Sequence, residues 1–129
     1  MVVSIKGNRY DVDFDDVRVL QAADDGKRAI TDAYTTLPTV ENVDYGKRLI
    51  GFLDVVKAAI DGVVGDGVAT ECFGDAYNWR DILGSWLTIV EAGNASAEAT
   101  RAASAELAHR ATACLMADKP NGRPPVRLE

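Results

Sequence analysis

The side chains best suited to chemistry in this sequence are one histidine, His109, and two cysteines, Cys72 and Cys114. A Cys–His nucleophile needs an activated thiolate beside the imidazole and a third group that orients the ring. Cys114 follows His109 by five residues, and that spacing does not put both side chains on one helical face. Neither cysteine belongs to a CxxC pair or has a histidine at metal-ligand spacing. We therefore expect an exposed His109 and two small core cysteines, with a disulfide between them left open.

A second candidate for chemistry is the segment Gly65-Asp66-Gly67, because glycine-rich loops can bind phosphate. Such loops follow a buried strand and carry a Lys and a Ser or Thr at a fixed offset. Here the glycines follow a helical pattern, no Lys-Ser/Thr pair comes next, and the aspartate would repel phosphate. The acids from Asp61 to Glu71 lack the alternating oxygen ligands of a calcium loop, and no paired carboxylates suit hydrolysis. The sequence thus predicts a protein that is not an enzyme and has no catalytic, cofactor-binding or metal-binding residues.

The composition narrows the class of protein further. The length of 129 residues suggests one domain, and 47% hydrophobic with 26% charged residues is typical of a globular chain. The net charge of −6 disfavours nucleic-acid binding, because an acidic surface repels phosphate backbones. No apolar run reaches the ~18 residues of a membrane span, and no signal-peptide pattern opens the chain. We therefore expect a cytoplasmic protein that binds neither nucleic acid nor membrane.

The elements that would position any site begin with a β-hairpin over residues 2–14. Hydrophobic residues alternate on both sides of Gly7-Asn8, a good two-residue turn. The period of the hydrophobic residues then changes from that of a strand to that of a helix. Asp13 or Asp15 could cap the first backbone amides of this helix. This helix extends to Leu37, with Gly26 as a weak point and Pro38 as its end.

The hydrophobic pattern in the second half of the sequence is helical. Residues 43–64 carry the strongest apolar stripe, and a short helix follows from Val68 to Phe73. Another helix runs to about residue 92, where Gly93-Asn94 would close it, and an alanine-rich helix begins at Ser96. The predicted fold is therefore α+β and predominantly helical, with the hairpin and four to five helices in one domain, 1–118.

The last residues, 119–129, are rich in proline, and we expect them to form a disordered tail. Lys119, Arg123 and Arg127 make this end basic, so it is either a flexible solvated segment or a basic peg for an acidic partner. Leu128-Glu129 looks like the scar of a cloning site ahead of a purification tag.

Between the two long helices, five residues predict a tight corner that needs no ligand. Gly65 and Gly67 would let the chain reverse, and Phe73 would fill the corner. Gly74 would then release the chain towards Asn78, which would cap the next helix. These residues define the fold rather than a binding site.

The stretch Ile60–Gly74, with Asn78 and the Ile82-Leu83-Trp86 pattern after it, resembles a family of small prophage proteins with the same spacing of Asp, Gly, Phe-Gly and Asn. The opening Ser4–Phe14 is similar to the hairpin of that family. Such proteins are encoded among the tail genes of siphovirus-like prophages and look like tail assembly chaperones or accessory tail proteins. The alanine-rich last helix and the proline-rich tail depart from that pattern.

The resemblance implies a protein-binding role in phage tail assembly, in the bacterial cytoplasm or on the virion. The partner would be a phage tail protein, such as the tape measure protein. Apolar grooves on this chain would shield the apolar helix stripe of that partner from water. The alternative is a structural homo-oligomer, a ring or connector subunit joined to itself through the hairpin edge. Trp79 and Trp86, seven residues apart, are either a core pair or an interface anchor. The candidate contact residues are Tyr45, Phe52, Trp79, Trp86, Leu107 and Leu115.

Overall fold

The fold is a short hairpin followed by helices. The computed structural model describes residues 1–37 and 43–118. Its elements in chain order are β1 (Val2–Ile5), β2 (Asn8–Asp11), α1 (Val17–Thr35), α2 (Tyr45–Val64), α3 (Val68–Phe73) and α4 (Trp79–Asp118). The predicted α+β class, predominantly helical with an N-terminal hairpin, is confirmed, with four helices in the described ranges. Helix α1 ends at Thr35, so the predicted extension to Leu37 is wrong by two residues. The predicted disordered tail 119–129 and Pro38 lie outside the described residues.

Strands β1 and β2 form an antiparallel hairpin whose turn lies one residue earlier than predicted. The turn residues are Lys6 and Gly7, with φ of +50° and +84°, as a two-residue hairpin turn requires. A turn at Gly7-Asn8 would have placed Lys6 directly opposite Arg9, and opposed like charges destabilise a sheet. The observed register pairs Arg9 with Ser4 instead. The observed turn therefore avoids an opposed Lys6–Arg9 pair, although it holds Lys6 in the left-handed region.

Helix α1 begins at Val17 and is capped by Asp16. The Oδ1 of Asp16 accepts a hydrogen bond from the backbone amide of Arg18 at 2.9 Å, which is the N-cap contact. Hydrogen bonds from the side chain and backbone of Arg18 also lower the pKa of Asp16. The predicted caps were wrong, because the Asp13 carboxylate accepts the Asp15 amide at 3.1 Å in the turn before the helix.

Gly26 is the closest packing point of α1 and not its weak point. A Cβ atom at this position would lie 2.7 Å from Cη2 of Trp86 and 3.0 Å from the Cβ of Ala59. The missing side chain therefore lets α1 approach both α2 and the indole of α4, which is buried. The burial gained there outweighs the helix propensity that glycine loses.

The chain reverses between α2 and α4 at the predicted corner. Gly65, Gly67 and Gly74 have φ of +151°, +81° and +57°, values that residues with a Cβ adopt only at a cost. Gly65 follows the last residue of α2, and Gly74 follows the last residue of α3. The side chain of Phe73 is buried beside them, so glycine backbone freedom and one aromatic ring together shape the corner.

Helix α4 starts where the sequence places a cap. The Oδ1 of Asn78 accepts hydrogen bonds from the backbone amides of Arg80 at 3.1 Å and Asp81 at 3.3 Å. Trp79 is therefore the first residue of the helix, and its position is fixed by the cap directly before it.

The prediction that Gly93-Asn94 closes this helix, with a new helix from Ser96, is wrong, because α4 continues to Asp118. Glycine inside a helix costs about 1 kcal/mol relative to alanine, and the alanine-rich sequence that follows has high helix propensity. Gly93 has a packing role, since a Cβ there would lie 3.4 Å from the ring of the buried Phe14. The Asn94 side chain accepts a hydrogen bond from Nζ of Lys27 at 3.1 Å. The pair thus marks a contact with the N-terminal part of the chain.

The chain divides into two units, Met1–Ala97 and Glu98–Glu129, and the division falls inside α4. The core of the first unit includes the fully buried side chains of Ile5, Leu53, Ile60, Ile82 and Ile89. In the second unit, every described side chain from 98 to 115 is exposed. No described helix has the length and apolar character needed to cross a membrane.

Candidate functional site

The residues first considered for chemistry form no reactive cluster in the described part of the chain. His109 is exposed as predicted, and both cysteines are free, so the disulfide left open does not form. Cys72 is buried, which confirms it as a core residue, whereas Cys114 is exposed and its predicted core position is wrong. Cys114 lies in the segment 98–115, in which every described side chain is exposed. Across residues 1–37 and 43–118, no three His, Cys, Asp or Glu side chains are grouped to hold a metal ion.

Cys72 instead joins the hairpin to α3 through polar contacts. Its Sγ lies 3.2 Å from the hydroxyl of Tyr10, and it accepts a hydrogen bond from Nδ2 of Asn8 at 3.5 Å. The hydrogen bond to Cys72, followed by burial, raises the pKa of the Tyr10 hydroxyl above its ordinary value. A raised tyrosine pKa keeps the hydroxyl protonated, so this cluster holds the hairpin in place and does not supply a base.

One concave surface of the first unit is an apolar groove of about 530 Å³. It lies where the C-terminal end of α1, the N-terminal half of α2 and the first residues of α4 meet. We call it the aromatic groove, and it is lined by Tyr34, Leu37, Tyr45, Leu49, Phe52, Trp79 and Leu83. Every described side chain in the lining is aromatic or leucine, so this part of the groove offers apolar contact with few polar atoms.

The positions of these residues follow from helix geometry. Tyr45, Leu49 and Phe52 are spaced by four and three residues, so they lie on one face of α2. Trp79 and Leu83 are four residues apart and form the corresponding face at the start of α4. The aromatic groove exists because both stripes extend past the segment where the two helices are covered by the rest of the core.

Exposure within the aromatic groove is uneven. Phe52 is 8% exposed and forms the floor, whereas Trp79 and Tyr34 are 50% and 67% exposed. The rings of Tyr34 and Phe52 meet edge to face, with centroids 6.2 Å apart and an angle of 60° between their planes. Aromatic side chains that are half exposed and held in place by packing are the residues that most often anchor a partner at protein interfaces.

A network of side chains fixes the loop that leads into Trp79. The hydroxyl of Tyr77 donates a hydrogen bond to Oδ1 of Asp54 at 2.6 Å, and this bond raises the pKa of Tyr77. Nζ of Lys57 lies 4.0 Å from the centroid of the Tyr77 ring and donates a hydrogen bond to the carbonyl of Ala76 at 3.0 Å. The side chains of α2 thus hold the entry to α4, and with it one wall of the aromatic groove.

Two arginines border the aromatic groove. The guanidinium of Arg80 lies 5.2 Å from the centroid of the Trp79 ring. Arg48 lines an adjoining pocket of about 320 Å³ that shares Leu37 and Phe52 with the groove. We call Arg48 and Arg80 the rim arginines. Both side chains are exposed, and no ion pair among the described residues involves either of them.

The structure brings three of the six candidate contact residues together, Tyr45, Phe52 and Trp79. Trp86 is 5% exposed and packs against Gly26 in the core, so it is not an exposed contact residue. Leu107 and Leu115 are 66% and 70% exposed in the second unit. The two tryptophans share a helical spacing but differ in burial, because only the position of Trp86 is covered by α1.

Sequence reasoning did not assign four lining residues to the site. All four occupy apolar positions at helical spacing in the sequence, and such positions usually indicate core packing. They become groove residues only because they lie near helix ends, where the opposing helix does not cover them. The four residues are Tyr34, Leu37, Leu49 and Leu83.

Comparison with known proteins gives one match. A family model described as "Family of unknown function (DUF6673)" matches residues 6–118, which is most of the chain. No curated protein and no solved structure matches.

Proposed function

The chain belongs to this family of unknown function, and from its own residues we propose that it is a non-enzymatic protein-binding module that shields an apolar helix of a partner. The observation that carries the proposal is the aromatic groove, with its exposed Trp79 and Tyr34 and its buried floor. An apolar groove between helices accepts an amphipathic helix, which contributes side chains spaced by three and four residues. Removal of this apolar surface from water provides the driving force for binding.

The resemblance to prophage tail proteins gives the proposal its biological setting. In that setting the chain acts in the cytoplasm of a bacterial host, resembles a tail assembly chaperone, and binds a tail component such as the tape measure protein. Long helical tail proteins carry apolar stripes that remain exposed until assembly. A groove that covers such a stripe would keep the partner from aggregating.

Co-expression with a long helical phage tail protein, such as a tape measure protein, tests this proposal. We expect the two proteins to purify together and the partner to become more soluble. The variants Trp79→Ala and Tyr34→Ala should abolish this effect while retaining the circular dichroism of the wild type, because both side chains are at least half exposed. A partner that neither purifies with the chain nor gains solubility would contradict the proposal.

A second function, a structural homo-oligomer of the tail, is favoured by a different observation. Leu107 and Leu115 are exposed in a segment whose described side chains are all uncovered. Burial of these two leucines against another copy of the chain would remove their apolar surface from water. Light scattering separates the two functions, because a closed ring of fixed size favours the structural role and a monomer or dimer favours the chaperone.

A further inference from the structure

The charges that border the aromatic groove carry information about its ligand. The described residues that line the groove are all apolar or aromatic. Among the described residues, Arg48 lines the adjoining pocket and Arg80 stacks on the Trp79 wall. Both are cationic at any physiological pH. Any helix seated in the groove therefore presents its flanking residues to two guanidinium groups.

From this arrangement we infer that the ligand of the aromatic groove is an acidic amphipathic helix, with glutamate or aspartate on both sides of its apolar stripe. The inference rests on the proposed function and names the chemistry of the partner. Neither guanidinium forms an ion pair with another described residue, so each one can form a bidentate pair with an incoming carboxylate. A helix with lysine at the same flanking positions would place cations against cations.

The net charge of the first unit favours a basic ligand instead of an acidic one. A binding experiment therefore distinguishes the effect of the rim arginines from the effect of the net charge. Residues 1–97 contain nine Lys and Arg against sixteen Asp and Glu, so the unit as a whole attracts cations. Screening limits such long-range attraction, because the Debye length at physiological salt is about 8 Å. Arg80 lies 5.2 Å from the centroid of the Trp79 ring and Arg48 lines the adjoining pocket, so both guanidinium groups act on a seated helix at short range.

Two synthetic peptides of about 18 residues provide the probe, because this length supports a helix when the termini are capped. Both carry leucines spaced by three and four residues, and they differ only in having glutamate or lysine beside the leucine stripe. Binding to the full chain is measured by fluorescence anisotropy of the labelled peptides at low and at high salt. We expect the glutamate peptide to bind about tenfold more tightly than the lysine peptide at low salt. The glutamate peptide gains two exposed ion pairs with the rim arginines, and it avoids the two like-charge contacts that the lysine peptide makes.

Charge-reversal variants test whether the rim arginines cause this preference. In the double variant Arg48→Glu/Arg80→Glu, the lysine peptide should bind more tightly than the glutamate peptide. The matched control is Arg9→Glu/Arg101→Glu, which changes the net charge by the same amount at two exposed arginines outside the groove lining. The control should keep the preference for the glutamate peptide.

The possible results separate this inference from the proposed function. If both peptides bind equally, or the lysine peptide binds more tightly, and Trp79→Ala weakens both, the groove binds helices but the inference about charge is overturned. If neither peptide binds, both the inference and the groove function fail. If light scattering shows a self-associated chain that Trp79→Ala converts to a monomer, the ligand is a second copy and the inference is overturned.

Discussion

Replacement of Gly26 by alanine would place a methyl group at the closest packing point of the first unit. In an exposed helix this substitution stabilises the protein by about 1 kcal/mol. At Gly26 the new Cβ would lie 2.7 Å from Cη2 of Trp86 and 3.0 Å from the Cβ of Ala59. Trp86 is buried and cannot move aside freely, so we place the overpacking cost near the upper part of its ~1–3 kcal/mol range. The expected net result is a loss of about 1–2 kcal/mol in the free energy of unfolding.

Gly62→Ala is the matched control, because Gly62 is an exposed residue inside α2 and a Cβ there meets nothing within 4 Å. This variant should gain up to about 1 kcal/mol. The two glycine-to-alanine substitutions are therefore expected to have opposite signs, although their helix propensity terms are the same.

Urea denaturation followed by tryptophan fluorescence measures both variants, with the slope m as a check that the denatured state is unchanged. The double variant Gly26→Ala/Trp86→Phe removes the part of the indole that contains Cη2. In that background the alanine at position 26 should cost less by about 1 kcal/mol or more, as expected for residues in direct contact. If Gly26→Ala stabilises as much as Gly62→Ala, or costs the same with and without Trp86, the packing argument is refuted.

Three further predictions concern the groove and its supports. Trp86→Ala should lose about 3–5 kcal/mol in the free energy of unfolding, because it leaves a cavity in the core. Trp79 is half exposed, so Trp79→Ala should lose less than about 2 kcal/mol. Equal losses of the two variants in urea denaturation would contradict the assigned burial. Cys72→Ala removes the partner of two hairpin side chains and should lose about 1–3 kcal/mol, and a neutral result would show that the thiol contacts do not stabilise the hairpin. The hydrogen bond to Asp54 raises the pKa of Tyr77 in the folded state, so its contribution to stability is complete below the ordinary pKa of about 10 and is lost as pH rises through the folded value. Wild type should therefore lose more stability than Tyr77→Phe between pH 9 and 12, and parallel pH profiles would contradict this.

Local features of the fold were predicted from the sequence because they depend on neighbours along the chain. The strong apolar stripe of residues 43–64 gave α2 to within two residues, and the cap at Asn78 gave the start of α4. The positive φ values at Gly65 and Gly67 could also be anticipated, since a reversal after a long helix needs them. In each case a few adjacent residues contain the whole physical cause.

The wrong predictions have a different character, because their causes lie far away in the sequence. The sequence pattern interprets Gly26 and Gly93 as interruptions of helices, yet Gly26 provides space for the ring of Trp86, and Gly93 lies inside α4 beside the ring of Phe14. A sequence pattern records that the side chain is missing but not which distant ring occupies the space. The hairpin turn also lies one residue earlier than predicted, because the register of a hairpin depends on all its cross-strand pairs and not only on the turn residues.

The sequence by itself determined the class of the fold, the helix stripes and the lack of any motif typical of a catalytic site. Only the tertiary structure decided which stripe residues became core and which formed the aromatic groove. Trp79 and Trp86 show why: both lie on the apolar side of one helix, but α1 covers only the second. Burial depends on the element that packs opposite a residue, and helical periodicity alone does not identify that element.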